Sequence, residues 1–313
     1  MAMTSVLPPH TGPKPPRGLE RQSSKVYGLL RLLHNNYSYS TWFLFYFLLS
    51  ALIIRITPSS YALVPIFVAS GILLSRIAYA SLVTFHVFPN PYLKDAIPYR
   101  VSAQLPDAEG NHYETGAREK VVAFHLGARV NHPLGVLEPN AKKMGDYLSD
   151  MLRELDSARA TNGYLGGQIY STYNNPGGSL ETLLVSYFRS VEDVHNFAYS
   201  PLHREAWEWY NKLGHENNKH LGINHEIFEA APGAWEAIYI NQQPTLLGGA
   251  YAPRKGDKDI GGRQEDSFVS TLMDAKTGKY RTSAGRLGRD ARSLHEKNQW
   301  EPPTVEYEKV RET

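Results

Sequence analysis

Two long apolar runs lie close together near the N-terminus of the chain. Residues 41–56 form the first run and residues 61–85 the second, with only a Thr-Pro-Ser-Ser turn between them. A helix that crosses the hydrocarbon core of a bilayer needs about 20 apolar residues, which the second run supplies and the first approaches. The pattern favours a two-helix membrane hairpin over residues 37–88 rather than two buried helices of a soluble domain. Arg76 lies deep in the second run, where a charge costs about 2.5–3.5 kcal/mol, so full spanning by this run stays open.

Basic residues flank this hairpin on both sides. Five Lys or Arg residues lie between residues 14 and 31, and Lys94 and Arg100 follow the second run, whereas the turn carries none. Short loops that are rich in Lys and Arg stay on the cytoplasmic side of a membrane, so we predict that both ends of the hairpin face the cytosol. Residues 1–36 are predicted to be a flexible basic leader.

Beyond residue 120 the apolar positions form short segments with regular periods. Alternation predicts a strand over residues 121–130, and helical spacing predicts a helix over residues 138–158. The remaining elements are predicted in this order: strands at 163–173 and 179–189, a helix at 190–214, and strands at 223–230 and 235–241. This order predicts an α+β fold, a ferredoxin-like βαββαβ domain over residues 121–249. Its two helices cover one face of the sheet, so we expect the other face to pack against a second copy in a homodimer.

Two further segments lack such periods. Residues 89–120 contain four prolines, and we predict a linker there. Residues 250–313 are charged and rich in glycine, apart from a weak apolar patch near residues 268–273. This second segment is predicted to be an extended or disordered tail.

Composition and motifs exclude several classes of protein. The net charge of +2, without a basic stripe of interleaved aromatic residues, excludes a nucleic-acid-binding protein. Because there is no cysteine, the chain has no disulfide, thiolate metal site or thiol nucleophile. The glycine-rich phosphate loops, the Gly-x-Ser-x-Gly elbow and the His-Glu-x-x-His metal helix are also missing. We therefore predict no metal site.

Polar side chains on the predicted strands are candidates for chemistry. The alternation of the first strand directs His125 and Arg129 away from the helices, into the expected cavity of a dimer. His225 lies in the middle of a later strand, with Glu226 on the opposite face. An isolated imidazole on an apolar strand is more often a hydrogen-bonded core residue than a catalyst, and that alternative stays open for each of them.

The second predicted helix carries the candidate that we rank first. His203 shares one stripe of this helix with Trp207 and Asn211. An imidazole with a pKa near 6.5 can exchange a proton at cytosolic pH, and an imidazole beside an aromatic residue can orient a substrate or bind haem. We therefore place His203 ahead of His225 and His125 as the residue closest to chemistry.

Four short motifs follow one another in the predicted domain. They are Phe-Arg-Ser-x-Glu-Asp at residues 188–193, His-x-x-Ala-Trp at 203–207, Gly-Ile-x-His-Glu at 222–226 and Glu-x-Ile-Tyr-x-Asn at 236–241. With these motifs the chain resembles the antibiotic-biosynthesis-monooxygenase-like family of dimeric α+β barrels, over residues of about 121–249. It departs from many relatives at Asn224, where they carry Trp, and at residues 241–244, where they carry Asn-Met-Pro.

The resemblance implies a reaction, a location and a set of site residues. The chain resembles a fungal, membrane-anchored branch of the fumagillin-pathway type. This implies a monooxygenase that uses molecular oxygen to oxidise a lipophilic, terpenoid- or polyketide-like secondary metabolite at the endoplasmic reticulum, with its domain in the cytosol. The implied catalytic residues are His203, His225 and His125, and the implied substrate-binding residues are Arg129, Trp207, Asn211 and Tyr239.

The cofactor and the reaction class keep alternatives. Barrel relatives divide into oxygenases that use no cofactor and proteins that bind haem, so the cofactor is predicted only as none or haem. A haem-dependent dehydratase or lyase on the same barrel is the second enzymatic reading. A membrane-tethered scaffold of a biosynthetic pathway is the non-enzymatic alternative.

Overall fold

The structure is a computed structural model that describes residues 5–11, 33–172, 180–254 and 267–289. Its strands are β1 (His10–Thr11), β2 (Ile97–Ala103), β3 (Val121–Val130), β4 (Tyr164–Ser171), β5 (Glu181–Phe188), β6 (Leu221–Ala230), β7 (Tyr239–Gln242), β8 (Tyr251–Arg254), β9 (Ser267–Ser270) and β10 (Leu272–Asp274). Its α-helices are α1 (Tyr39–Ile56), α2 (Val64–Thr84), α3 (Pro139–Ser157), α4 (Val191–Ala198), α5 (Pro201–Lys212), α6 (His215–Asn218) and α7 (Ser283–Arg286).

The central sheet is antiparallel and has the strand order β4-β5-β3-β6. Along the chain, β3 is followed by α3, then by β4 and β5, then by α4 to α6, and finally by β6. This is the predicted ferredoxin-like order, with the outermost strands β4 and β6 on either side of the central pair. The register places Val122 opposite Phe188 on one face and His125 opposite Val185 on the other, as the alternation of β3 predicts.

The helices cover one face of this sheet and close it. Val122, Phe124 and Phe188 from the sheet are buried against Leu155 of α3 and Val194 of α4. The rings of Phe124 and Phe188 meet edge to face, with centroids 6.2 Å apart. Full burial of one such side chain contributes roughly 1.5–3 kcal/mol to stability, so this face stabilises the packing of the helices on the sheet.

The helix predicted over residues 190–214 is in fact three helices. The first break falls at Ser200, whose hydroxyl accepts the backbone N–H of His203 at 3.3 Å and so caps α5. Pro201 follows it at the first helical position, where a residue without an N–H starts a helix but does not continue one. Gly214, with φ of 72°, makes the second break before α6.

A second sheet, in the order β10-β2-β7, corrects two predictions. The linker predicted over residues 89–120 contains β2, and the strand predicted over residues 235–241 begins only at Tyr239 and pairs with β2 rather than with the main sheet. The prolines are the reason for the first error. Pro98 lies within β2, beside a register shift in its pairing with β7, where a missing N–H is tolerated.

A third sheet, in the order β1-β9-β8, corrects the predictions for both ends of the chain. The tail predicted over residues 250–313 folds at residues 251–254 and 267–289, where Phe268 and Met273 are buried. The leader predicted to be flexible is ordered at residues 5–11, where β1 pairs with β9. These strands are two to four residues long, too short to show a period. Most of the remainder of both segments lies outside the described residues.

The additional sheets pack onto one end of the main-sheet face that lacks helices. Val121 and Leu165 of the main sheet are buried there against Ala103, Trp235 and Leu247. The chain itself therefore covers part of the face that we expected to be covered by a second copy. The other end of the same face, around Arg129, stays open, and Phe228 on the edge strand β6 is exposed as well.

Helices α1 and α2 occupy the segment for which a membrane hairpin is predicted, and a short turn joins them. By length and composition, Tyr39–Ile56 and the segment Ser59–Thr84 are each able to cross a membrane. No residue of either helix is buried against the rest of the protein. Since β1 precedes the hairpin and β2 follows it, and Val6 donates its N–H to the carbonyl of Leu272 in β10 at 2.8 Å, the chain leaves and re-enters the same folded body.

The base of the hairpin is fixed to the loop that follows β3. Asn36 is buried, its side-chain oxygen accepts the N–H of Val136 at 3.1 Å, and its side-chain nitrogen donates to the carbonyl of Leu134. The Tyr37 hydroxyl donates to the same carbonyl at 3.3 Å. Gly135 has φ of 51°, and a Cβ atom there would lie 1.8 Å from the Asn36 oxygen. Only glycine allows this close approach.

Candidate active site

Two of the predicted site residues lie on the open part of the main sheet. The His125 ring packs 5.5 Å from the ring of Phe228, centroid to centroid, and its Nδ1 lies 4.0 Å from the Glu226 carboxylate. Arg129 faces Glu181 directly across the strand pair, with 3.8 Å between nitrogen and oxygen. The sheet therefore presents a histidine beside a carboxylate, an arginine and carboxylate pair, and an exposed aromatic ring.

A cavity of about 300 Å³ opens beside Arg129, and we call it the open-face cavity. Its polar lining comes from Arg129, Asn131, Glu181 and Asn224. The Arg129 Nε is buried there without a hydrogen-bond partner. The Asn224 side-chain oxygen accepts the N–H of Gly127 at 3.0 Å, so Asn224 holds β3 and β6 together.

A larger cavity of about 480 Å³ lies at the end of the same two strands, and we call it the hairpin-side cavity. Its lining is polar throughout and includes Asn131, His132, Glu138, Asn140, Lys219 and His220. His220 Nε2 lies 3.2 Å from a carboxylate oxygen of Glu138, and the rings of His132 and His220 are 5.3 Å apart, centroid to centroid.

The Glu138 carboxylate in this cavity is buried yet remains charged. Burial alone raises the pKa of Glu138, but N–H donors at Asn140 and Ala141 and the neighbouring His220 outweigh it and lower the pKa below its usual range. Glu138 also caps α3, because it accepts the backbone N–H of Ala141 at 2.7 Å. A charged acceptor at a helix N-terminus is favoured by the helix dipole as well.

Sequence reasoning missed this cluster. His132 and His220 come together because Asn131, just after β3, donates its N–H to the carbonyl of His220, just before β6, at 2.7 Å. Neither histidine belongs to a periodic segment or to one of the four motifs. Only the pairing of β3 with β6, which the predicted topology implies, indicates that these two loops are neighbours.

The two cavities are adjacent to one another and to the hairpin. Asn131 lines both of them. The residues that follow it, from His132 to Val136, form the loop that holds Asn36 and Tyr37 at the hairpin base. Leu134 and Leu137 on this loop are exposed. The space available for a small molecule is therefore next to the base of the apolar helices.

His203 and His225 lie on the helix-covered side instead. The His203 ring packs 5.4 Å from that of Phe197, and His225 packs 6.0 Å from that of Phe124, centroid to centroid. Burial lowers the pKa of His203, a hydrogen bond to the carbonyl of Ala198 raises it, and the nearby His225 lowers it again, with a net lowering. The three predicted catalytic histidines thus do not form a single site, and none of them lines either cavity.

The remaining predicted substrate-binding residues are also spread out. Trp207 is 56% exposed and stacks on Tyr210 at 5.8 Å, and Asn211 further along α5 is exposed as well. Tyr239 belongs to the second sheet, where its hydroxyl accepts the N–H of Gly248 at 2.9 Å. Burial is the main cause that raises the pKa of Tyr239 to about 12. In the described part of the chain, no group of three or more His, Asp or Glu side chains is placed to hold a metal ion.

Comparison with known proteins places these features in a family. The family model described as monooxygenase af470-like matches residues 121–247. Monooxygenase af470 of Aspergillus fumigatus is 32% identical over 260 residues, which cover 82% of this chain and 90% of the relative.

Solved structures match less closely. An aldoxime dehydratase in complex with butyraldoxime covers 47% of this chain and 40% of its own, at 15% identity and a TM-score of 0.32. A putative antibiotic biosynthesis monooxygenase from Caulobacter crescentus covers 37% of this chain and 93% of its own, at 10% identity and a TM-score of 0.26. On the match to its Aspergillus relative, the chain belongs to the monooxygenase af470-like family.

Proposed function

We propose that this protein is a membrane-anchored monooxygenase that transfers one atom of molecular oxygen to a lipophilic, terpenoid- or polyketide-like intermediate of secondary metabolism. Membership of the family supports the reaction class. The two exposed apolar helices support the anchor. The position of the cavities beside the hairpin base is the observation that carries the proposal.

The route of the substrate follows from that position. A lipophilic molecule is dissolved in the bilayer, and the loop that holds the hairpin base follows Asn131, which lines both cavities. Exposed Leu134 and Leu137 extend the apolar surface of the hairpin onto this loop. A substrate then places its apolar body against the leucines and its oxygen atoms among the polar residues of the cavities, without crossing water.

The chemistry that suits such a site uses the substrate as the reductant. A methylene group beside a carbonyl or in a phenolic ring system loses a proton, and the resulting anion supplies the electrons that reduce molecular oxygen. One oxygen atom ends in the product as a carbonyl and the other leaves as water, so that no external electron donor is required. The protein then has to bind, orient and deprotonate the substrate.

Haem does not fit the two cavities described above. The hairpin-side cavity is lined by polar residues, and the apolar side chains around the open-face cavity are Ala128 and Ile223. A porphyrin has broad apolar faces that need an apolar slot. The proposed reaction therefore does not use haem.

A homodimer and a location complete the proposal. Tyr170, Leu183 and Phe228 are exposed apolar side chains on the face of the main sheet that lacks helices, and a second copy that packs on this face would remove them from water. The basic flanks of the hairpin, and the attachment of both its ends to one folded body, support a cytosolic domain at the endoplasmic reticulum membrane.

Sealed microsomes that contain the full-length protein test both the reaction and the orientation. They are supplied with the lipophilic extract of a producing strain from which the gene is deleted, under isotopically labelled molecular oxygen. We expect mass spectrometry to find at least one compound that gains a single labelled oxygen atom only when the protein is present. Absence of any such compound would overturn the proposed activity.

The same microsomes are treated with protease before they are opened. Digestion of the domain at residues 121–247 is expected for the cytosolic orientation. Protection of the domain until detergent is added would overturn that orientation.

A further inference from the structure

The hairpin-side cavity contains two imidazoles and a buried carboxylate that have no chemical role in the reaction described so far. Glu138 is buried with its carboxylate beside His220 Nε2, at 3.2 Å. His132 lies across from His220, with 5.3 Å between ring centroids. Charged and polar groups are rarely gathered in a buried place without a partner or a task.

Hydrogen bonds assign a proton to each imidazole. Leu134 donates its backbone N–H to His132 Nδ1 at 3.2 Å, so the neutral His132 ring carries its proton on Nε2 and presents it as a donor. The Glu138 carboxylate faces His220 Nε2, so the His220 proton is held there and Nδ1 keeps its lone pair. The contact is off the line of an ideal hydrogen bond, since Nε2 has no partner by strict geometry. Such contacts tighten when a substrate is bound.

Glu138 is held in place more firmly than a free side chain. One carboxylate oxygen accepts the N–H of Ala141 at 2.7 Å, and the other accepts the side-chain amide of Asn140 at 3.1 Å. A carboxylate fixed in this way stabilises the imidazolium that forms when His220 gains a proton. Because Glu138 acts through His220, it is a positioning residue.

We propose that His220 is the general base of the oxygenation, that Glu138 orients it, and that His132 donates a hydrogen bond to the substrate oxygen on which charge develops. The inference rests on the proposed function. His220 Nδ1 takes a proton from the activated methylene, and the electron pair stays on the substrate as an enolate. After oxygen has added to the carbon, the imidazolium returns its proton to the peroxide. Loss of the second C–H proton and of hydroxide then gives the carbonyl and water.

Three variants test the proposal in full-length protein in microsomes with the deletion-strain extract. His220→Gln is expected to lose about 10²–10⁴-fold in turnover, the usual contribution of a general base, and added imidazole is expected to restore part of it. Glu138→Gln keeps an oxygen for the α3 cap but not the charge, so turnover falls while the helix remains. His215→Gln, at an exposed position before the cavity, is the matched control and keeps wild-type turnover.

The pH profile separates a base from a structural residue. Turnover of the wild type is expected to rise with pH as the catalytic base loses its proton, and His220→Gln is expected to lose that limb of the profile. The titratable or charged groups that face His220 in the cavity are His132, Glu138, Glu216 and Lys219. Lys219 is already paired with Glu216 at 2.6 Å. A limb unchanged in His220→Gln would overturn the proposal.

An experiment without oxygen distinguishes the failure of this inference from that of the proposed function. In heavy water under anaerobic conditions, the wild type is expected to exchange deuterium into a compound of the extract, and His220→Gln is not. Exchange without later oxygen transfer would sustain the base and overturn the oxygenase. Oxygen transfer that is equally fast in His220→Gln would sustain the oxygenase and overturn the base.

Discussion

The two faces of the main sheet differ in what covers them. The helix face is closed by Phe124, Phe188 and their buried partners on α3 and α4. The other face is covered at one end only, and it leaves Arg129 open at the other end and Phe228 exposed on the edge strand β6. Both cavities lie where β3 ends and β6 begins. The motif histidine on α5, His203, and the space for a substrate therefore lie on different parts of the domain.

The largest expected difference between the two faces is the loss of stability when an aromatic side chain is removed from each. Phe188 is 0% exposed, whereas Phe228 on the opposite face is 54% exposed. Phe188→Ala leaves a cavity in a closed core and is expected to lower the free energy of unfolding by about 3–5 kcal/mol. Phe228→Ala is expected to change it by less than about 0.5 kcal/mol in the monomer. Denaturant titration of both detergent-solubilised variants measures the difference.

The same two phenylalanines test the proposed homodimer. Phe228→Glu places a charge on the open patch and is expected to shift the protein towards monomers in light scattering, whereas Phe188→Ala is not expected to do so before it unfolds. Equal losses of stability for the two alanine variants would contradict the distinction between a closed and an open face.

A smaller effect is expected at the hairpin base. Gly135→Ala brings a Cβ atom against the Asn36 oxygen at a backbone conformation that alanine resists. The contact is expected to break, at a cost of about 1–3 kcal/mol, so limited proteolysis should become faster near residue 36. Gly145→Ala is the matched control, since its Cβ meets nothing within 4 Å and alanine favours a helix by about 1 kcal/mol. Unchanged proteolysis in Gly135→Ala would show that the loop does not hold the hairpin.

The smallest effect is expected at His203. The family motif by itself predicts a loss of about 10²–10⁴-fold in turnover for His203→Gln. Because His203 is half-buried and lines neither cavity, we expect turnover per folded molecule to stay near wild type. Stability at neutral pH is expected to fall by roughly 1 kcal/mol. Circular dichroism gives the folded fraction, and a large loss of turnover would return the chemistry to α5.

The pH dependence of stability gives a second measure of His203. Its folded pKa is lowered by burial, so below about pH 6.5 the unfolded state binds the proton more readily and acid destabilises the fold. His203→Gln removes this contribution and is expected to lose less stability than wild type between neutral pH and about pH 5. His112, whose pKa burial also lowers, accounts for part of the dependence that remains.

The elements that sequence reasoning found are those with a long, regular period. Strand β3 matches its predicted bounds, and α3 differs from its prediction by one residue at each end, because ten to nineteen residues are enough for a period to appear. Strand β2 was not predicted because Pro98 interrupts its pattern, and β1 was not predicted because it has only two residues. Their order depends on partners that are distant in the chain, which local patterns do not encode.

The candidate site was predictable only in part, for a related reason. The alternation of β3 is sufficient to place His125 and Arg129 on the face away from the helices. Glu138 and His220 belong to loops at the ends of elements, where neither period nor motif distinguishes them from solvent-exposed residues. The hydrogen bond from the Asn131 N–H to the His220 carbonyl joins the loops at the ends of β3 and β6 and so brings His220 towards the start of α3. This neighbourhood becomes visible only in three dimensions.

The pairing of β1 with β9 bears on how the chain is synthesised. Residues 5–11 leave the ribosome first, and residues 267–270, which pair with them, leave it late. In a bilayer-inserted chain, the hairpin is already in place before this partner exists. Strand β1 must therefore already lie on the side of the membrane where the rest of the domain is synthesised. A chain inserted with its N-terminus on the other side cannot complete the third sheet, so folding itself selects one topology of insertion.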